Sequence, residues 1–221
     1  MRRILPPLLL LVLTLNTGWF VLYSGDLGLR GLMSQAPGAL SRVFRNDAVL
    51  ANAAIALHMV AGALLTFGAP LQALPIVRRR WPDWHRRAGY GLFLLAMATG
   101  LGGLVYIALQ GTVGGWWMSL WFTIYGLALI WAAVNTVYHA IAKDIRRHVA
   151  WALRFVILVV GSWIYRIHYA IWYAATGGVG SNTAFTGLFD QIQVIAFFVP
   201  YLLIAEAVLR WQEQRRRARR A

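Results

Sequence analysis

The chain has 221 residues, 60% of them hydrophobic and 13% charged, with a mean hydropathy of +0.60, a balance that excludes a soluble domain and reads as integral membrane protein. Its net charge of +14 lies in short Lys/Arg clusters beside apolar runs, which excludes nucleic acid as the partner and points to anionic lipid headgroups. It contains no cysteine, so disulfides, thiolate metal sites and a thiol nucleophile are excluded as well.

In chain order, six membrane-spanning helices are expected, forming a single domain over residues 1–221. Arg2 and Arg3 lead into the apolar run 4–23. Pro6 and Pro7 sit where a helix start tolerates proline, and no small-x-small cleavage site follows. The run is therefore expected to be an uncleaved first span. Residues 24–46, with Gly25, Gly28, Gly31, Pro37 and Gly38, read as a loop, with a short interfacial helix expected over 39–45. The second span, 48–68, is rich in alanine, carries His58 and is expected to bend past Pro70 toward Ile76.

The cluster 78–87, RRRWPDWHRR, reads as a cytoplasmic loop with Trp81 and Trp84 at headgroup level. Spans three and four cover 88–109 and 116–142, with an uncharged turn between them. A second basic turn, 143–148, precedes the fifth span, 148–175. A Gly/Ser/Asn/Thr loop then leads to the sixth span, 188–210, where a kink is expected at Pro200, and to a basic tail over 211–221. Loops on one side of this arrangement hold only Arg30, Arg42 and Arg45. All the other loop and terminal Lys and Arg fall on the opposite side, which is expected to put both termini in the cytoplasm.

The fifth span organises the rest. Val149, Leu153, Val156, Val160, Ile164, Ile167 and Ile171 fall on one side at helical spacing, and His148, Trp151, Arg154, Tyr165, Arg166 and His168 on the other. A spanning helix so divided is expected to turn its polar face inward. Arg154 needs a counter-charge, and Glu206 lies at a similar depth in the sixth span. Asp190 is expected to play the same part for Arg166.

The histidines sit on different helices. His85, His139 and His148 are expected near the cytoplasmic side, and His58 and His168 further out. Imidazoles from facing helices hold iron in transmembrane b-type cytochromes, and the arrangement is similar. The inner three can supply one haem pair, and His58 with His168 an outer one. An interfacial imidazole is just as well accommodated half-solvated and hydrogen-bonded. A non-haem metal at the inner three is disfavoured, since only Asp83 and Asp144 add carboxylate oxygen. Trp151, Tyr165 and Tyr90 are candidates for lining a cavity that suits a quinone headgroup or a lipid tail.

Four stretches carry a family resemblance: HMVAGALLTFGAPLQ (58–72), WHRRAGY (84–90), HVAWALR (148–154) with the later Arg166, and PYLLIAE (200–206). Together they resemble the bacterial membrane-protein family known as domain of unknown function 2306. Tyr201 and Ala152 stand where that family often has asparagine and methionine. The resemblance implies six helices in a bacterial membrane, expected to be the inner one, and leaves activity unassigned. No Walker, dinucleotide or HExxH pattern is present.

Three readings of function follow. The first is a haem b redox protein exchanging electrons with a quinone or a partner protein, using His58, His85, His139 and His148 with Trp151, Arg154 and Tyr90. The second is a carrier or binder of an anionic or lipid-like solute, using Arg154 and Arg166. The third is a structural or assembly subunit without a ligand.

Overall fold

The computed structural model describes residue 12 and residues 15–218, and among these every regular element is helical. The order is α1 (Gly18–Met33), a 3-10 turn (Pro37–Ala39), α2 (Val49–Ala73), α3 (Pro75–Arg80), α4 (Pro82–Gln110), α5 (Gly115–Ile141), α6 (Ile145–Thr176), α7 (Leu188–Ala196) and α8 (Val199–Ala218). Five units are long and apolar enough to cross a membrane: α2, α4, α5, α6 and the α7–α8 stretch taken together. Most of the expected first span, over 4–23, lies outside the described residues.

Helices α2, α4, α5 and α6 close a ring, each packing on the next and α6 returning to α2. Helix α1 lies on α2, and α7–α8 lies along α5 and α6. Lipid tails are as apolar as leucine, so what holds such a ring is close packing rather than expulsion of water. The sequence supplies small residues where that matters. A methyl group on Gly102 of α4 would stand 2.7 Å from the Ala54 carbonyl oxygen of α2. The central core joins Leu65, Ala96, Leu129, Phe155 and Leu158 to Phe197 and Phe198.

The links between spans are short and chemically specified. Helix α5 ends in a Schellman motif, with Asp144 N–H donating to His139 O at 3.0 Å and Lys143 N–H to Ala140 O at 3.1 Å. Lys143 occupies the left-handed position at φ 57°. The next residue, Asp144, caps α6 by accepting from Arg147 N–H at 3.0 Å. That hydrogen bond holds the Asp144 carboxyl below the usual carboxylate range.

Three local expectations are corrected. Residues 24–33 are helical, not loop, because Gly28 and Gly31 form a packing edge: added Cβ atoms would meet Met59 and Phe44. No helix forms over 39–45. The 3-10 turn ends at Ala39 and further turns follow, tied down by Asn52, whose side chain bridges the Arg45 N–H and carbonyl. The basic cluster 78–87 is not a loop either, since α3 ends at Arg80, Trp81 alone breaks the backbone, and Pro82 starts α4. The last span does break near Pro200. Its ring opposes a continuous helix at the Ala196 carbonyl, and the turn falls at Phe197 and Phe198.

On α6, Val149, Leu153 and Ile171 face outward as expected, whereas Val160 is buried with Leu158 and Val159.

Candidate functional site

At the basic end, the ring nitrogens of the histidines hold helices together. His85 Nδ1 lies 2.6 Å from Gln72 Oε1, joining α4 to the end of α2. His148 Nδ1 lies 2.9 Å from the Thr136 carbonyl, joining α6 to α5. His139 is buried beside Tyr138, with ring centroids 5.1 Å apart. Arg154 Nε donates to Glu206 Oε1 at 2.5 Å, and its guanidinium lies 4.6 Å over the Trp151 ring. Arg154 is thus neutralised within the protein. Tyr90 is exposed on the outside of α4. Among the described residues no three His, Asp or Glu side chains group to hold a metal ion.

Toward the opposite end, the expected Arg166–Asp190 pair does not form. Asp190 is fully buried, and its two oxygens accept from Tyr169 Oη (2.8 Å), Ser181 Oγ (2.7 Å), Asn182 N (3.1 Å) and Gly187 N (3.0 Å). Four donors fill a carboxylate. Arg166 instead donates to the Ser162 carbonyl at 2.8 Å, one turn back, and lies 4.6 Å over the Phe20 ring of α1. Among the described residues no carboxylate lies within ion-pair distance of it, and the remaining residues contain no Asp or Glu.

The expected outer imidazole pair is also not assembled. His168 faces α7–α8, with Nε2 2.8 Å from Tyr201 Oη and Nδ1 3.1 Å from Gln193 Oε1, so both nitrogens are engaged. His58 points at α4, its Nδ1 2.8 Å from the Thr99 carbonyl, with Gly102 and Gly103 leaving room for the ring.

Arg166 and His58 border the same void. A cavity of about 420 Å³ lies between α1, α2, α4, α5 and α6, with Ser41, Val113 and Phe185 of the connecting loops at one end. Along α2 it reaches from Ile55 to Thr66, roughly 16 Å at helical rise. Most of its wall is apolar, including Met59, Leu65, Leu104, Met118 and Phe122. The polar wall includes His58, Thr66, Thr99, Tyr125, Ser162, Tyr165 and Arg166. The Thr99 hydroxyl is buried there without a partner, a condition that typically costs about 1–3 kcal/mol. Arg166 is an exposed residue of α6 that borders the void, where the Tyr165 and Tyr125 side chains share its wall.

Of the residues the sequence singled out, Tyr165, Arg166 and His58 line this cavity. His85, His139, His148, Trp151, Arg154 and Tyr90 do not. Tyr125 and Thr99 were missed. Both read as ordinary helix-interior residues, and only the helix pairing brings them opposite α6 and α2.

Five apolar spans, four of them lining a chamber whose cation meets no carboxylate among the described residues, define a multi-pass α-helical membrane protein. The chain belongs to the DUF2306 family: the family's model, described as "Predicted membrane protein (DUF2306)", matches residues 55–209. That range takes in all four stretches on which the resemblance rested. No curated protein and no solved structure matches the chain.

Proposed function

We propose that the protein binds an anionic, lipid-like small molecule inside the membrane, with Arg166 as its counter-charge. One observation carries this reading: a guanidinium open to a largely apolar cavity with no carboxylate in reach. A charge at membrane depth is costly and is normally paired. The fold supplies Glu206 for Arg154 and, among the described residues, no carboxylate for Arg166. A bound carboxylate or phosphate would complete the site, while the apolar walls would hold its chain. At about 420 Å³ the chamber falls within the range of small-molecule sites.

The reading includes a bacterial inner-membrane protein with six spans and both termini in the cytoplasm. It places the arginine-rich end against anionic lipids.

Equilibrium dialysis of labelled dodecanoate against the detergent-solubilised full chain tests it. Arg166→Gln is expected to weaken binding at least about tenfold, as loss of a charge-assisted contact implies. The double variant Arg154→Gln/Glu206→Gln is expected to bind as the wild type does. Equal binding by Arg166→Gln and wild type would overturn the proposal. A neutral quinone of similar chain length, bound tightly and indifferently to Arg166, would assign the cavity to quinone instead.

A haem reading draws on a different observation. In His58, His85 and His148, Nδ1 faces an oxygen that accepts its proton, which leaves Nε2 as the lone-pair nitrogen an iron requires. A reducible Soret band in the purified protein tests that reading, and a colourless preparation that takes up no added haem removes it.

A further inference from the structure

Three loops meet over the end of the cavity that lies away from the arginine-rich end. Ser41 and Val43 come from the connection between α1 and α2, Thr112 and Val113 from the turn between α4 and α5, and Phe185 from the loop between α6 and α7. The last of these is firmly rooted. The buried Asp190 holds Ser181, Asn182 and Gly187, and Asn182 Oδ1 in turn accepts from Ala184 N (3.0 Å) and Thr186 N (3.1 Å). The loop also leans on the α4–α5 turn, where a Cβ on Gly114 would stand 2.9 Å from the Phe185 carbonyl oxygen. Across the mouth, Phe44 is buried against Gly31 and Asn52 bridges Arg45, which fixes the backbone just beyond Val43. What joins the two rooted segments is the exposed side chain of Arg42. Its Nη1 donates to the Thr183 carbonyl at 2.7 Å, and its guanidinium lies 5.9 Å from the centre of the Phe185 ring. Phe185 itself sits at φ 56°, a left-handed conformation that a bulky residue keeps only where its surroundings impose it. Held so, its ring packs on Tyr169, with centroids 5.8 Å apart, and lines the end of the cavity.

Resting on the proposed anion at Arg166, we infer that the chamber exchanges its guest with the aqueous phase at this end, through a mouth between residues 41–43 and 183–185 that Arg42 latches. An exposed hydrogen bond is readily traded for one to water, so the Arg42 contact is the part of the closure that yields first. Its release frees the Phe185 ring on one side and leaves the packed helix ring as it is. An anion arriving here meets a cation at the rim before it meets one in the wall. Helix α6 ends at Thr176, which places Arg166 roughly 15 Å below its outer end at helical rise. Arg42 is a gating residue in this scheme and makes no contact with the seated guest.

The chain has no cysteine, so a thiol placed in the cavity wall reports access without background. Full-length Met59→Cys, reconstituted in sealed vesicles of one orientation, is treated from one side at a time with a membrane-impermeant sulfonate methanethiosulfonate. With reagent on the Val113 side, adding Arg42→Gln is expected to raise the labelling rate about tenfold, the scale of one hydrogen bond and its cation–ring contact. Phe185→Gly removes the ring, suits the left-handed backbone and is expected to raise the rate with Arg42 still in place. Reagent on the arginine-rich side is expected to label none of these proteins. A rate unchanged by Arg42→Gln overturns the latch, whatever Phe185→Gly does. Labelling from the arginine-rich side, or no labelling in any variant, overturns the mouth. So does labelling by a bilayer-soluble maleimide alone, at a rate that neither substitution changes, which would assign entry to the lipid phase. Saturating dodecanoate is expected to slow labelling from the Val113 side. If the two substitutions act as expected while dodecanoate leaves labelling unchanged, the mouth stands and the anion proposal falls.

Discussion

Lys143 sits where a helix ending in a Schellman motif usually has glycine, and its φ of 57° places its Cβ against the backbone. Lys143→Gly is expected to stabilise the protein by about 1 kcal/mol, the usual scale for relieving one left-handed residue. A sodium dodecyl sulfate unfolding titration reads this directly, and an unchanged midpoint would contradict it. The same scale shows what the residues alone reveal. Arg154 and Glu206 are both internal to spans and similar in depth, so their pairing is visible in the sequence. The pairing of Arg166 with Asp190 follows from the same depth argument and is wrong. Asp190 lies three residues after Gly187, at the start of α7, where its oxygens turn back to cap the helix and anchor the loop. Depth along a span does not register a local capping geometry.

At the scale of helices, glycine carries two opposite meanings. Gly102 lets α2 and α4 approach until the Ala54 carbonyl leaves no space for a methyl group. Gly89, on the same helix, has open space around its missing Cβ. Gly102→Ala is therefore expected to destabilise by about 1–3 kcal/mol through overpacking against backbone. Gly89→Ala is expected to be neutral or to stabilise by up to about 1 kcal/mol through helix propensity. The two variants differ by one methyl group each, and similar unfolding midpoints would contradict the packing assigned to α2 and α4.

The five apolar spans were legible in the sequence because their length and hydropathy exceed any alternative. The glycines of α1 were not, since spacing of three residues suits a loop as well as a close-packed helix face. Contacts with Met59 and Phe44 decide between the two, and those depend on a neighbouring helix. The basic run 78–87 was misread for a related reason. Charge marks the membrane boundary, but it does not stop a helix that has Pro75 and Pro82 at its first positions.

For the molecule as a whole, alternation of the spans puts Arg80, Lys143 and Arg216 at one end and Val113 and Val179 at the other. The absence of cysteine makes this testable without background. Single cysteines at the first three positions are expected to react with a membrane-impermeant maleimide only from the cytoplasmic side. Cysteines at the last two are expected to react only from the opposite side. Labelling of Lys143→Cys and Val179→Cys from one side would contradict the alternation.

The unneutralised guanidinium of Arg166 also bears on how the molecule should respond to heat. A fold that sets a positive charge on a cavity wall and, among its described residues, offers it no carboxylate is favoured further by any solute that supplies a counter-ion, and the gain follows mass action. Delipidated protein is expected to melt at a lower temperature than protein saturated with a fatty acid, and the melting point should climb with the logarithm of the concentration added. In Arg166→Gln that climb should flatten. Thermal denaturation would then titrate the chamber, with the temperature axis serving as a measure of occupancy.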